Sequence, residues 1–207
     1  MFLHKTPLAL KWIYPQLTWS VPSKEKVLYL TFDDGPIPIL TEFVIDTLDQ
    51  FNAKATFFCV GDNIRKHPEI AQKTLEAGHT LGNHTYNHLN GWENDSEVYI
   101  ENVQKCQEQL KTMNVDSHLL RPPYGRIARK QISKLKSVYN IIMWDVLTGD
   151  FSKNIAPEDC LKNSIRSTRK GSIVLFHDNI KAENNMKYAL PRYLEHFSKE
   201  GYLFKAL

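Results

Sequence analysis

The feature that most constrains this chain is an alternation of short apolar runs with longer segments of helical spacing. Val27–Phe32 (VLYLTF), Ala55–Val60 (ATFFCV), His79–Gly82, Leu119–Leu120, Asn140–Trp144, Ser172–Phe176 (SIVLF) and Tyr202–Phe204 read as strands. Between them, Ile39–Phe51, Pro68–Ala77, Ser96–Met113, Ile127–Leu135, Pro157–Ser167 and Met186–Lys199 carry apolar residues at helical intervals, with Ser96 expected as an N-cap. A chain of 207 residues with no linker, repeat or low-complexity segment fits one such unit. Strands alternating with helices predict a parallel α/β sheet or barrel in a single domain. The polar candidates gather just after the strands, and in parallel α/β folds the carboxyl ends of the strands form the face that holds active sites.

Composition excludes several other classes. With 42% apolar and 24% charged residues the chain can build a core, which rules out disorder and collagen. The net charge is only +3, and basic residues cluster no further than Arg166–Lys170, so no nucleic-acid partner is expected. Cys59, Cys106 and Cys160 are widely separated and odd in number, which argues against a disulfide scaffold and for buried free thiols. The fairly apolar start, Phe2–Tyr14, is interrupted by His4, Lys5, Pro7 and Lys11. A membrane-spanning helix needs about 20 uninterrupted apolar residues, and a cleavable signal needs a cleaner apolar core. The chain therefore reads as soluble and cytoplasmic, with export left open and no stable membrane insertion. Residues 1–22 are expected to be an extension packed on a domain of residues 23–207. Its Leu8–Tyr14 stretch could lean on a membrane surface, but core packing is the expected use. Oligomeric state is not readable.

Five polar groups stand just after the predicted strands: Asp33–Asp34, His84 with His88, Arg121–Gly125, Asp145–Asp150 and His177–Asp178. Asp33 and Asp34 end a strand before the Gly35–Pro36 turn, as a helix cap or as two carboxylates turned into one pocket. His84 and His88 stand four apart, and on a helical turn they would share a face able to chelate a metal. Such a pair alone is often incidental; with a strand-end carboxylate it becomes two His and one Asp, sufficient for a divalent ion with open positions. Arg121 begins a stiff Pro122–Pro123–Tyr124 turn and could pair bidentately with a carboxylate, or simply be exposed. His177, at a strand end, is either a core histidine or a general acid. The remaining histidines (His4, His67, His79, His118, His196) lack such company.

TFDDGP (Thr31–Pro36), HTYNH (His84–His88), RPPYG (Arg121–Gly125), WDVLTGDF (Trp144–Phe151) and LFH (Leu175–His177) stand in the order of five motifs. In this the chain resembles the polysaccharide deacetylase family with the NodB homology domain, carbohydrate esterase family 4. The resemblance implies a distorted (β/α) barrel of about seven parallel strands and a divalent metal, with zinc the first choice. It implies hydrolysis of N-acetyl, or sometimes O-acetyl, groups on an acetylated glycan or oligosaccharide. By motif, Asp33 corresponds to the general base, and Asp34, His84 and His88 to the metal ligands. Arg121 matches the residue that holds the base, and Tyr124 an oxyanion donor through its backbone N–H. Trp144 and Leu175 resemble walls of an acetyl pocket, Asp150 the carboxylate that orients the acid, and His177 the acid itself. Leu147 and Phe151 depart from the commonest fourth motif, where Asp and Trp are frequent.

Other functions remain open on the residues alone. The same site on the same fold suits an amidase or a cyclic-imide hydrolase. Two His and a carboxylate also bind Fe(II) in oxygenases, though usually with different spacing on a β-sandwich. A sugar-binding module without catalysis would be expected to have lost a ligand or the acid, and here all are present.

Overall fold

The first apolar run becomes strand β1 (Val27–Asp33) of the computed structural model, which describes residues 3–207. All of β1 is buried except the partly exposed Tyr29. That is the signature of a central parallel strand covered on both faces, and it explains the unbroken apolar run. A short helix α1 (Leu8–Ile13) precedes β1, and α2 (Leu40–Asp49), β2 (Ala55–Cys59), α3 (Gly61–Lys66) and α4 (Pro68–Glu76) follow it. Next come β3 (Thr80–Asn83), α5 (Ser96–Thr112), β4 (Leu119–Leu120), α6 (Arg129–Leu135) and β5 (Asn140–Ile141). The chain continues through β6 (Val146–Leu147), α7 (Pro157–Ser167), β7 (Ile173–His177), α8 (Glu183–Lys199) and β8 (Leu203–Phe204).

The strands lie in the order β5-β4-β3-β2-β1-β7-β6, with β8 added beside the start of β1, and every pairing between them is parallel. The seven strands of this path curl into a half-barrel within one domain, the expected α/β architecture with an open seam. The N-terminal segment crosses that seam. Thr18 exchanges backbone bonds with Ile141 (2.9 Å) and Met143 (2.7 Å), while the Thr6 N–H donates to Asp145 O and His4 O accepts from the Leu147 N–H, both at 2.9 Å. One stretch of chain thus satisfies backbone groups beside β5 and beside β6, which would otherwise be open edges.

The main core lies around β1. Phe32 stacks on Phe57 of β2 and Phe176 of β7, with ring centroids 5.0 and 5.8 Å away, and α2 and α8 cover them with Val44, Leu48, Leu190 and Tyr193. Burying one such ring contributes about 1.5–3 kcal/mol. A second cluster joins Leu17 and Trp19 to Tyr99, Leu120, Ile141 and Met143.

Several expectations are corrected. Leu8–Ile13 does not pack into the core. None of its residues is buried, and its one inward anchor is Lys11, whose Nζ lies 2.6 Å from Asp145 Oδ1. Leu17 and Trp19 supply the apolar packing instead. Asp95, not Ser96, occupies the N-cap of α5. The expected strand Asn140–Trp144 stops at Ile141, and β6 forms separately inside the WDVLTGDF motif. The three cysteines are buried and free. No helix among the described residues is long and apolar enough to cross a membrane.

Candidate active site and metal centre

Strand register sets the positions of the first residues. Asp33 ends β1 directly opposite His177, the last residue of β7, because those two strands pair Asp33 with His177. Asp34 follows with φ of 85°, so the chain turns sharply and the two adjacent carboxylates need not point apart. Gly35 is required next. A Cβ there would fall 2.0 Å from a carboxylate oxygen of the buried Asp178, which accepts the Gly35 N–H at 3.1 Å and a hydrogen bond from Thr41 Oγ1.

His84 and His88 do not lie on a helical turn. The segment after β3 is a loop in which Thr85 and His88 take left-handed backbone angles (φ 61° and 56°), and this folds the two imidazoles together with ring centroids 5.0 Å apart. The Thr85 N–H donates to Asn83 Oδ1 at 2.9 Å, and Thr85 Oγ1 accepts the Leu89 N–H at 3.0 Å, so local side chains hold the loop.

Asp34, His84 and His88 converge, with one ligand atom from each lying within 4.8 Å of the others. Asp34 Oδ1 is 3.0 Å from His88 Nε2 and 3.5 Å from His84 Nε2. That same Oδ1 is buried and has no hydrogen-bond partner. An orphaned carboxylate oxygen facing two imidazole nitrogens is the arrangement of a cation-binding set, since such an atom is otherwise costly to bury. His84 Nδ1 lies 2.8 Å from Arg121 O, and donation to that carbonyl fixes the tautomer that leaves Nε2 bare for a metal. His88 Nδ1 lies 3.2 Å from the Tyr124 hydroxyl. Burial alone would raise the Asp34 pKa, but the His84 and His88 imidazoles facing its Oδ1 and the positive field of His177 hold it well below the usual carboxylate range. The three residues fit a divalent ion.

Two asparagines outside the motifs support Asp34. Asn63 Nδ2 donates to its carbonyl at 2.8 Å, and Asn179 Nδ2 donates to Asp34 Oδ2. Asn179 Oδ1 accepts the Lys181 N–H at 2.7 Å, which fixes the amide so that its donor end faces the carboxylate. Only Oδ1 is then left toward the histidines. No spacing rule in the sequence marks either asparagine; the nearest signal is that Asn179 follows the LFH motif by two residues.

Arg121 is fully buried and is not bidentate on a carboxylate. Its Nη1 donates to Asp33 Oδ1 (2.8 Å) and Thr31 Oγ1 (2.7 Å), its Nη2 to Met143 O (2.8 Å) and its Nε to Ile142 O (3.3 Å). The guanidinium also lies over the Phe58 ring, 4.2 Å from the centroid. Asp33 Oδ1 is thereby held, and Oδ2 lies 3.7 Å from His84 Nε2, on the side of the candidate metal centre. Asp150 grips His177 twice, accepting its backbone N–H at 2.7 Å and lying 2.8 Å from its Nδ1. Burial would lower the His177 pKa, but the Asp150 charge and hydrogen bond, with Asp34 and Asp33 nearby, push it up to about 9.

Asp33, Asp34, His84, His88, Tyr124, Trp144, Leu175 and His177 line one pocket of about 390 Å³; Arg121 and Asp150 stand behind it as partners of Asp33 and His177. Tyr124 itself has φ of 60° and is 60% exposed. Gly125 follows at φ 65°, where a Cβ would meet the Trp144 ring at 2.6 Å, so glycine lets Trp144 close against the turn.

Residues 20–139 match the family model described as polysaccharide deacetylase. The chain belongs to that family. A peptidoglycan-N-acetylglucosamine deacetylase of Bacillus cereus is 32% identical over 191 residues, 91% of this chain and 89% of that protein. A chitooligosaccharide deacetylase of Azorhizobium caulinodans is 31% identical over 164 residues, 76% of each chain. Among solved structures, a peptidoglycan N-acetylglucosamine deacetylase in complex with 4-naphthalen-1-yl-N-oxidanyl-benzamide superposes with a TM-score of 0.89 at 30% identity, covering 98% of this chain and 95% of that one. These polysaccharide deacetylases are named for removing acetyl groups from glycans; none of the three is named for imide hydrolysis or oxygen chemistry.

Proposed function

We propose that this protein is a metal-dependent hydrolase that removes N-acetyl groups from N-acetylglucosamine units of a glycan. The observation that carries this reading is one pocket in which Asp34, His84 and His88 converge beside two separately anchored groups, Asp33 on Arg121 and His177 on Asp150. An amide resists hydrolysis because its carbonyl is a weak electrophile, water is a weak nucleophile and an amine leaves badly unless protonated. The pocket has a group for each difficulty.

Asp34, His84 and His88 would hold the ion, and a donor set of two neutral imidazoles and one carboxylate suits zinc. When bound, such an ion supplies Lewis acidity at the carbonyl and lowers the pKa of water. Asp33 Oδ2, left free by the Arg121 grip on Oδ1, accepts the proton of the attacking water. The Tyr124 N–H stabilises the developing oxyanion; losing one such donor typically costs ~3 kcal/mol. His177, oriented through Nδ1 by Asp150, gives its Nε2 proton to the amine nitrogen as the C–N bond breaks, releasing acetate and a free amino sugar. Trp144 and Leu175 form the apolar walls for the acetyl methyl, with Phe151 beside His177. We read residues 23–207 as the catalytic domain and residues 1–22 as its N-terminal extension, of which His4, Thr6 and Thr18 reach across the seam.

The test is acetate release over a panel of N-acetylated and O-acetylated glycans, including peptidoglycan and chitin oligomers, alongside a cyclic imide. The reading expects turnover of N-acetylglucosamine substrates; turnover confined to the imide would replace it with the small-amide alternative.

A further inference from the structure

Residues 142–145 join β5 to β6, the two ends of the strand path, and two partners share the backbone of this strip. One is Arg121. Its Nε donates to Ile142 O at 3.3 Å and its Nη2 to Met143 O at 2.8 Å, while its Nη1 holds Asp33 Oδ1. The other is the N-terminal segment, which takes the neighbouring groups. The Thr18 N–H donates to Ile141 O, and Thr18 O accepts the Met143 N–H. The Thr6 N–H donates to Asp145 O, and His4 O accepts the Leu147 N–H. Thr6 is buried and adds a side-chain bond, its Oγ1 donating to Trp144 O at 2.7 Å. The strip that carries the Trp144 wall and the carbonyls beneath Arg121 is therefore clamped between the guanidinium and the N-terminal segment.

Charge fastens the segment in place. Asp145 is buried and accepts from Lys5 Nζ on one oxygen and Lys11 Nζ on the other, both at 2.6 Å, with Ser172 Oγ at 2.5 Å. Charged hydrogen bonds depend on direction, so they fix where the segment lies along the strip. Apolar cover alone would not need them, since Leu17 and Trp19 already supply it. Among the described residues, none of the segment lines the catalytic pocket, whereas the Trp144 ring does. An effect of the segment on the reaction has to pass through the strip. A displacement of about 1 Å far from the chemistry can cost on the order of 100-fold in rate, so a hydroxyl outside the pocket is able to matter inside it.

We propose that Thr6 is a positioning residue for the reaction: through Trp144 O it sets the wall of the acetyl pocket, so that the N-terminal segment helps restrict the acyl group to acetyl. The proposal deepens the deacetylase reading and rests on it for the group that meets this wall.

The experiment compares zinc-loaded wild type, Thr6→Val, Thr6→Ser and Lys11→Met. Each is assayed for amine release from N-acetyl and N-propionyl forms of a β-1,4-linked glucosamine pentamer, and titrated with acetohydroxamate and propionohydroxamate. Thr6→Val keeps the shape but leaves Trp144 O without its donor. It is expected to lower kcat/KM on the acetyl form about 10-fold. Its preference for acetyl over propionyl should fall about 5-fold, part of what one methylene is worth in a fitted pocket, in turnover and in hydroxamate Kd alike. Thr6→Ser, which keeps the hydroxyl, should recover most of both losses, and zinc content per chain should match wild type throughout. A loss that acetyl and propionyl forms share equally, or one that Thr6→Ser does not recover, makes the segment a structural cover and overturns the proposal. If Thr6→Val does not fold, Lys11→Met decides: a lowered acetyl preference upholds the positioning, and an unchanged one overturns it. If wild type releases no amine from either pentamer, the deacetylase reading fails. The hydroxamate pair then judges the wall by itself: a Thr6-dependent preference for acetohydroxamate upholds the positioning, and its absence removes it as well.

Discussion

His177 and Asp150 are joined at two points: one carboxylate oxygen lies 2.8 Å from Nδ1, and the other accepts the His177 backbone N–H at 2.7 Å. The imidazole cannot rotate without breaking the Nδ1 contact, and the backbone bond keeps the Asp150 carboxylate beside it. The folded pKa is raised, so the link stabilises the fold in full below the ordinary value of 6.5, and this contribution is lost as pH rises from there through about 9. Asp150→Asn removes the charge. We expect the alkaline limb of the kcat–pH profile to move ~1–2 pH units downward, because His177 then loses its proton earlier. A profile that keeps its alkaline limb in place would remove His177 from the role of acid.

Asp33→Asn separates proton transfer from metal holding. The amide keeps the shape beside Arg121 but cannot take a proton, so acetate release should fall ~100-fold or more. Metal stoichiometry, read by atomic absorption after gel filtration, should stay at the wild-type value, since Asp34, His84 and His88 are untouched. Substantial remaining turnover would move the base elsewhere.

Asn179→Ala addresses the hold on Asp34 Oδ2. Without that donor the carboxylate can swing, and zinc affinity measured with a competing chelator should weaken ~10–100-fold. The circular dichroism spectrum of the metal-free protein should not change. Unaltered affinity would make Asn179 a loop residue only.

Asp178 is fully buried, and burial pushes its pKa up to about 8, with the Asp34 charge adding to the effect against the hydrogen bonds from Thr41 and Gly35. A carboxyl raised in the fold above its unfolded value of 3.8 favours the native state below that value, and this advantage is lost as pH rises through about 8. In metal-stripped protein, Asp178→Asn should therefore flatten the decline of Tm between acid and pH 8. A slope equal to that of wild type would contradict the buried neutral acid.

Much of this architecture was legible because the physics that made it is local. Strands buried on both faces leave unbroken apolar runs, so β1, β2 and β7 stand out in VLYLTF, ATFFCV and SIVLF. Their shared direction put Asp33 and His177 at one end. The geometry of His84 and His88 was not legible, since a four-residue interval suits a helical turn as well as a loop. The loop depends on non-glycine residues at positive φ, held by Asn83 and by the Thr85 hydroxyl. β6 is only two residues long, too short to leave a pattern. Asn179 and Thr6 gain their meaning from partners 145 and 138 residues away, and single polar residues carry no periodicity that announces such contacts. The outward face of Leu8–Ile13 was hidden for the opposite reason: its composition resembles a core helix, while Lys11 bonded to Asp145 is what fastens it.

The most direct test strips the protein with a chelator and follows acetate release from N-acetylglucosamine oligomers as zinc is returned. Activity should vanish on stripping and return in full at one equivalent, while the His84→Ala, His88→Ala double variant stays inactive at any zinc concentration and binds none tightly. Hydrolysis that persists in stripped protein, or a double variant that regains it with zinc, would contradict a reaction built on Asp34, His84 and His88.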